Sequence, residues 1–253
     1  MAQSSDPRTE AVSAPVPSRL WRLTCFALFP FLISLAGAAV ITAYHVTRNV
    51  PAFNYPTNSN EHSSLSQFMN LSPVVEKTAP GFTLTDQRGR SVSLADFRGK
   101  AVLLAFFDSR CTEVCPVIAT ELIAAEHDLG ARASGVAFVA VNVNPLAESV
   151  ADVQHFSQIH GLSALPNWYF LTGTTKALSS VWNAYGIFVG LPRHAKQTVH
   201  ADYMYFVNPL GKERFLAEPD VYQRPNGTGY LPKNAVDRWG NGIALYLNQA
   251  ASG

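Results

Sequence analysis

Ala101-Val102-Leu103-Leu104-Ala105-Phe106-Phe107-Asp108-Ser109-Arg110-Cys111-Thr112-Glu113-Val114-Cys115-Pro116 runs from seven apolar residues straight into two cysteines four positions apart. The apolar run is short and uninterrupted, the pattern of a strand buried on both faces. The segment from Thr112 to about residue 131 reads as a helix. The cysteines therefore straddle a strand-to-helix turn, and a spacing of four places both sulfurs on one helix face. A helix N-terminus favours thiolate, the form that attacks disulfides and binds metals. Only one other cysteine exists, Cys25, so no disulfide-stapled scaffold is available. A Cys111–Cys115 disulfide would close a very small loop and stabilise little. The pair reads as redox-active or metal-binding.

Outward from this turn the elements alternate. Upstream, 82–86 and 91–94 flank the turn residues Gln87, Arg88, Gly89 and Arg90, a hairpin signal. Downstream, a second buried strand spans 136–143, a helix 148–159 and a third strand 168–171. A helix over 174–185, a strand over 203–207 and a turn at 208–211 into 213–216 follow. The spacing of Val236, Trp239, Ile243 and Leu247 predicts a terminal helix, which Gly240 and Gly242 weaken. Strands alternating with helices, then a hairpin and a helix, make an α/β domain over 80–253.

The chain has 253 residues, a net charge of +1 and no basic run, so nucleic acid is not an expected partner. Residues 1–19 are rich in Ser, Pro and Ala and read as a disordered cytoplasmic tail. Residues 20–47 read as a single transmembrane helix: 23–47 contain no Asp, Glu, Lys or Arg, and about 20 apolar residues span a bilayer. Ala36-Gly37-Ala38 offers a signal-peptide cleavage site. The long region before the apolar run, and its continuation to Val46, favour an uncleaved anchor. Arg8, Arg19 and Arg22 precede the span and only Arg48 closely follows it, which places the bulk of the chain on the extracytoplasmic side of a cell or inner membrane. Cys25 lies inside the span, as a lipid-facing or packing residue. Residues 48–79 lack any apolar period and read as a flexible tether.

The order of elements resembles the thioredoxin fold, with its N-terminal β-hairpin. Cys111-Thr112-Glu113-Val114-Cys115-Pro116 resembles the CxxxCP motif of the Sco/SenC copper chaperones. Val141-Asn142-Val143-Asn144-Pro145, Asn167-Trp168-Tyr169-Phe170-Leu171-Thr172-Gly173, Val181-Trp182 with Tyr185-Gly186, and Val199-His200 extend the likeness over most of 80–216. The resemblance implies a copper ion held by Cys111, Cys115 and His200. It also implies delivery of copper to the dinuclear copper site of cytochrome c oxidase subunit II, or reduction of that site's cysteines, by a metallochaperone rather than a turnover enzyme.

The residues support copper independently in part. Cu(I) prefers soft thiolates and accepts imidazole. Of the seven histidines, His45 borders the apolar span and His62 lies in the tether. His127, His155 and His160 fall on or beside predicted helices. His194 and His200 precede the strand facing the cysteine turn, and His200 is the nearer. Met204, four residues further on, lies about 13 Å along the strand and reads as core. Asp108 either orients a ligand or serves the turn. Glu113 reads as a first-turn carboxylate favoured by the helix dipole. Two rivals use the same cysteines. A thiol–disulfide oxidoreductase would have CxxC and a proline before the facing strand, where a histidine stands here. A peroxiredoxin-like peroxidase would use Thr112-Glu113-Val114-Cys115-Pro116, yet lacks that motif's upstream proline at Asp108 and needs neither Cys111 nor His200.

Overall fold

The computed structural model describes residues 59–191 and 198–252. The predicted tail, transmembrane helix and first part of the tether lie outside the described residues, as do Cys25, His45 and His194. Among the described residues, no helix is long and apolar enough to cross a membrane.

The apolar run forms β4 (Ala101–Phe107), the centre of a six-stranded sheet, and every one of its residues is buried. It pairs in parallel with β5 (Val136–Asn142), which pairs in parallel with β6 (Trp168–Leu171). On its other side β4 meets β9 (Met204–Val207), then β10 (Lys212–Ala217) and β1 (Ser72–Thr78), all antiparallel. Successive side chains alternate between faces, so Leu103, Ala105 and Phe107 enter one core and Val102, Leu104 and Phe106 the other. Both faces are covered, which is why the strand shows no polar alternation.

The first face is covered by α2 (Val114–Leu129), α3 (Val150–Ile159) and α5 (Lys233–Ala251). Phe107 packs edge-on against Phe156 and Phe170, with ring centroids 5.8 and 5.9 Å away. The second face is covered by α4 (Thr175–Ala184) and by the hairpin of β2 (Thr83–Thr85) and β3 (Ser91–Ser93). The hairpin turn is held by buried Asp86, which accepts from the amides of Arg88 and Arg90 at 2.9 and 2.8 Å; Gly89 supplies the left-handed φ of +76°. The Gln87 side chain donates to the Trp168 carbonyl and accepts from the Phe170 amide, closing the free edge of β6. This is the thioredoxin-like arrangement expected from the order of elements.

Two expectations are corrected. The segment 48–79 is not wholly a flexible tether: 59–68 form α1 (Ser59–Phe68), and β1 adds an edge strand to the sheet. The folded domain therefore begins before residue 80. β1 is mostly exposed and carries Pro73, so it has neither apolar period nor strong propensity; its order comes from pairing with β10. Gly240 and Gly242 do not weaken α5. A Cβ at Gly240 would lie 2.5 Å from the Ala124 Cβ, and the Cβ of Gly242 would overlap Met69. The glycines let α5 approach α2 and α1 closely, and tertiary packing outweighs their low helix propensity.

Candidate metal centre

The cysteines sit where β4 ends, but the helix begins later than the sequence reading placed it. α2 starts at Val114. Cys115 lies in its first turn, whereas Cys111 lies in the preceding loop, its amide donating to the Asp108 carbonyl at 3.0 Å. The two sulfurs are thus brought together by a loop folding over a helix start, not by one helix face. Both are free thiols; Cys115 is 0% exposed and Cys111 is half-buried.

They are chemically unequal. A hydrogen bond from Cys115 holds the Cys111 thiol below the usual range, against burial; the amides of Cys115 and Glu113 add to the effect. The Glu113 N–H lies 3.4 Å from the Cys111 sulfur. Burial pushes the Cys115 thiol well up, helped by its bond to Cys111 and by negative charge on Cys111 and Asp202. In the free pair Cys111 is therefore the more acidic thiol and accepts a hydrogen bond from Cys115.

His200 reaches this pair from a short hairpin of β7 (Val189–Gly190) and β8 (Val199–His200). Its side chain is 5% exposed. The Nδ1 atom lies 3.2 Å from the Ala201 carbonyl, which can only accept, and 3.3 Å from an Asp202 carboxylate oxygen, so Nδ1 faces acceptors. The Cys115 sulfur, a ring nitrogen of His200 and a carboxylate oxygen of Asp202 lie within 4.8 Å of one another. Burial holds the Asp202 carboxyl above its ordinary value, opposed by the His200 ring. Cys111 stands outside this threesome but bonds to Cys115.

Asp108 resolves into a positioning residue. Its buried carboxylate accepts from the Thr198 amide and hydroxyl at 2.7 and 3.0 Å, from the Asn144 amide group at 2.8 Å and from the Arg110 N–H at 2.7 Å. It joins the cysteine loop, the turn after β5 and the residue that leads into His200. Glu113 occupies the N-cap without a side-chain cap bond; its carboxylate accepts instead from Gln223 at 2.7 Å. Gln223 belongs to a hairpin of β11 (Tyr222–Gln223) and β12 (Gly229–Tyr230). The Gly229 amide donates to the Thr112 carbonyl, and a Cβ there would lie 2.1 Å from the Glu113 oxygen. The segment 217–232 thus braces the cysteine loop from outside.

The other candidates fall elsewhere. Met204 is 0% exposed in the first core. The His127 side chain faces solvent, His155 is exposed, and His160 stacks on Phe156 at 4.3 Å. Asp202 escaped the sequence reading. Its only signal is an acidic residue two places beyond the histidine, in a stretch with no periodicity.

Comparison with known proteins agrees with this picture. A sequence model of the SCO1/SenC family matches residues 72–220, more than half of the chain. The SCO1 protein homolog of Bacillus subtilis is 27% identical over 133 residues, covering 52% of this chain and 68% of that protein. Among solved structures, Arabidopsis thaliana ScoI with copper bound shares the fold at a TM-score of 0.52 and 20% identity, over 68% of this chain and 99% of that one. Apo Sco1 from Thermus thermophilus gives 0.51 at 23% identity, over 70% and 92%. BsSco, a member of the Sco family of cytochrome c oxidase assembly proteins in which a disulfide switch has been identified, gives 0.51 at 21%, over 72% and 96%.

Proposed function

The chain belongs to the SCO1/SenC family, and from that premise we propose that it is a membrane-anchored, extracytoplasmic copper carrier. Its cargo is copper held by Cys111, Cys115 and His200. Its target is the dinuclear copper site of cytochrome c oxidase subunit II, which it loads or whose cysteines it reduces. Support comes from the copper-bound relative and from the family's association with cytochrome c oxidase assembly.

The observation that carries the reading is the convergence of the paired cysteine sulfurs with the imidazole of His200. Thiolates and imidazole suit copper, and Cu(I) above all. The asymmetry of the thiols suits a carrier. Cys115 and His200 are shielded, while Cys111 is half-buried at the rim. An incoming target thiolate meets Cys111 first, so cargo leaves by stepwise ligand exchange at the accessible sulfur. The same asymmetry serves reduction of a target disulfide: the Cys111 thiolate attacks, and Cys115 then displaces the reduced target thiol, leaving a Cys111–Cys115 disulfide. Both uses need the same loop and exclude each other in one encounter. A peroxidatic role for Cys115 is disfavoured by its burial and its raised thiol pKa, since such chemistry needs an accessible thiolate.

The test is transfer. Copper-loaded, reduced chain is mixed with the copper-free soluble domain of subunit II, with its cysteines either reduced or paired as a disulfide. Copper appearing in the reduced target supports delivery; loss of the target disulfide with oxidation of Cys111 and Cys115 supports reduction. Neither outcome at stoichiometric protein would refute the proposal.

A further inference from the structure

We propose that Asn226 is a site of spontaneous deamidation: water converts its side-chain amide to aspartate and isoaspartate, and the change loosens the hairpin that braces the cysteine loop. In an Asn-Gly pair no side chain shields the nitrogen that follows the asparagine. The pair occurs twice in the chain, at Asn226-Gly227 and Asn241-Gly242, and the fold treats the two oppositely. Asn226 is exposed at the turn between β11 and β12. Its side-chain carbonyl accepts from the Thr228 amide at 3.1 Å and the Thr228 hydroxyl at 2.7 Å. The side chain is therefore bent forward over the Gly227 peptide, and two donors polarise the carbonyl that must be attacked. Among the described residues nothing crowds Gly227: a Cβ built there would meet no atom within 4 Å. The Gly227 N–H donates to the Arg224 carbonyl at 2.9 Å. A two-stranded hairpin is marginally stable by itself, so this bond opens locally without global unfolding. Asn241 lies within α5, where side chains lean toward the helix N-terminus and away from the following N–H, and Gly242 is pressed against Met69.

The chemistry needs only water. The Gly227 nitrogen loses its proton to solvent and bonds to the Asn226 Cγ; the Cγ–Nδ2 bond breaks and ammonia leaves with a proton. Water then opens the cyclic imide. Cleavage of the new bond between the Gly227 nitrogen and Cγ gives aspartate. Cleavage of the original peptide bond gives isoaspartate, whose main chain runs through Cβ and Cγ. One water is consumed, one ammonia is released, and nothing is oxidised or reduced. The isoaspartate puts an extra carbon into the turn. Two residues later the Gly229 amide donates to the Thr112 carbonyl, and the close approach of Gly229 to the Glu113 carbonyl leaves no slack there. Across the hairpin from Gly229, Gln223 holds the Glu113 carboxylate at 2.7 Å. A lengthened turn therefore strains both bonds that hold residues 112 and 113, and frees the loop that carries Cys111.

The experiment incubates the full-length chain in detergent, metal-free and kept reduced, in mildly alkaline buffer at physiological temperature. Peptide mass mapping follows the conversion of amide to acid at each asparagine, and protein isoaspartyl methyltransferase labels the isoaspartate. Asn226 should convert at least about tenfold faster than Asn241, because a turn opens locally and the middle of a packed helix does not. Asn226→Gln should abolish the label in that peptide, since glutamine must close a larger and slower ring. Gln223→Ala should speed conversion at Asn226 roughly two- to tenfold, the extra opening expected when one hydrogen bond of ordinary net strength is lost. Aged wild type should alkylate at Cys111 faster than fresh protein, and aged Asn226→Gln should not. Asn226 left intact while the urea-unfolded chain converts would overturn the proposal, because the turn would then protect the residue. Equal rates at Asn226 and Asn241 would overturn it too, as the reaction would then run through global unfolding. Conversion with no change in Cys111 alkylation would overturn the link to the cysteine loop. None of these readouts uses copper, so their failure leaves the copper-carrier reading standing, and its failure leaves them standing.

Discussion

Replacing Glu121 with leucine should stabilise the protein by about 3 kcal/mol at pH 7. Glu121 lies in α2, is 0% exposed, and neither carboxyl oxygen has a hydrogen-bond partner among the described residues. Burial alone pushes its pKa from 4.5 to about 8. At pH 7 the unfolded carboxyl is ionised and the folded one holds its proton. Folding must therefore take up a proton, at about 1.4 kcal/mol for each pH unit above the unfolded value. The sign follows: the folded state binds more protons between the two values, so this group's contribution is full below pH 4.5 and is lost as pH rises to about 8. Leucine has similar volume, keeps the packing and removes the penalty. Urea unfolding at several pH values between 5 and 8 reads the effect. Glu121→Gln is the control, because it keeps the shape without titrating. The stability difference between wild type and Glu121→Gln should drift against wild type by about 1.4 kcal/mol per pH unit, and the Glu213 carboxyl, also raised by burial, cancels in that difference. A leucine variant less stable than wild type, or a difference flat with pH, would show that the carboxyl has a charged-state partner and refute the reasoning.

Three further outcomes follow from the site. His200→Ala should weaken Cu(I) binding roughly 10–100-fold while leaving the alkylation rate of Cys111 unchanged; rapid peroxide turnover insensitive to this change would favour the peroxidase alternative instead. Asp108→Ala strands four donors, of which the Asn144 amide group is fully buried, and should cost about 2 kcal/mol in chemical denaturation. It should also lower copper affinity, because Thr198 no longer holds the strand that bears His200; wild-type stability would contradict the positioning role. A topology reporter fused after residue 58 should read as exported and pellet with membranes, whereas a soluble mature form starting near residue 39 would identify a cleaved signal peptide.

The central strand and the cysteine turn were legible because both rest on local signals. β4 is an unbroken apolar run, and burial on both faces makes such a run unmistakable in this context. The terminal helix was legible from Trp239 and Ile243, although its glycines read as a weakness until Ala124 and Met69 were seen against them. What escaped depends on distant partners. β1 is held by hydrogen bonds to β10, a strand well over a hundred residues later, and its exposed side chains leave no periodic trace. The late start of α2 reflects Asp108, whose carbonyl and carboxylate fold residues 108–111 into a turn before the helix can begin. Asp202 became visible only when the hairpin carried it beside Cys115.

Copper retained by the reduced full-length chain tests the central claim most directly. The protein is reduced, exposed to excess Cu(I), freed of loose metal by a competing chelator and assayed for copper and protein. The account predicts one copper per chain, sulfur-edge absorption showing copper–thiolate bonds, and no retention by the Cys111→Ser, Cys115→Ser double variant. Copper no higher in the wild type than in the double variant would contradict it.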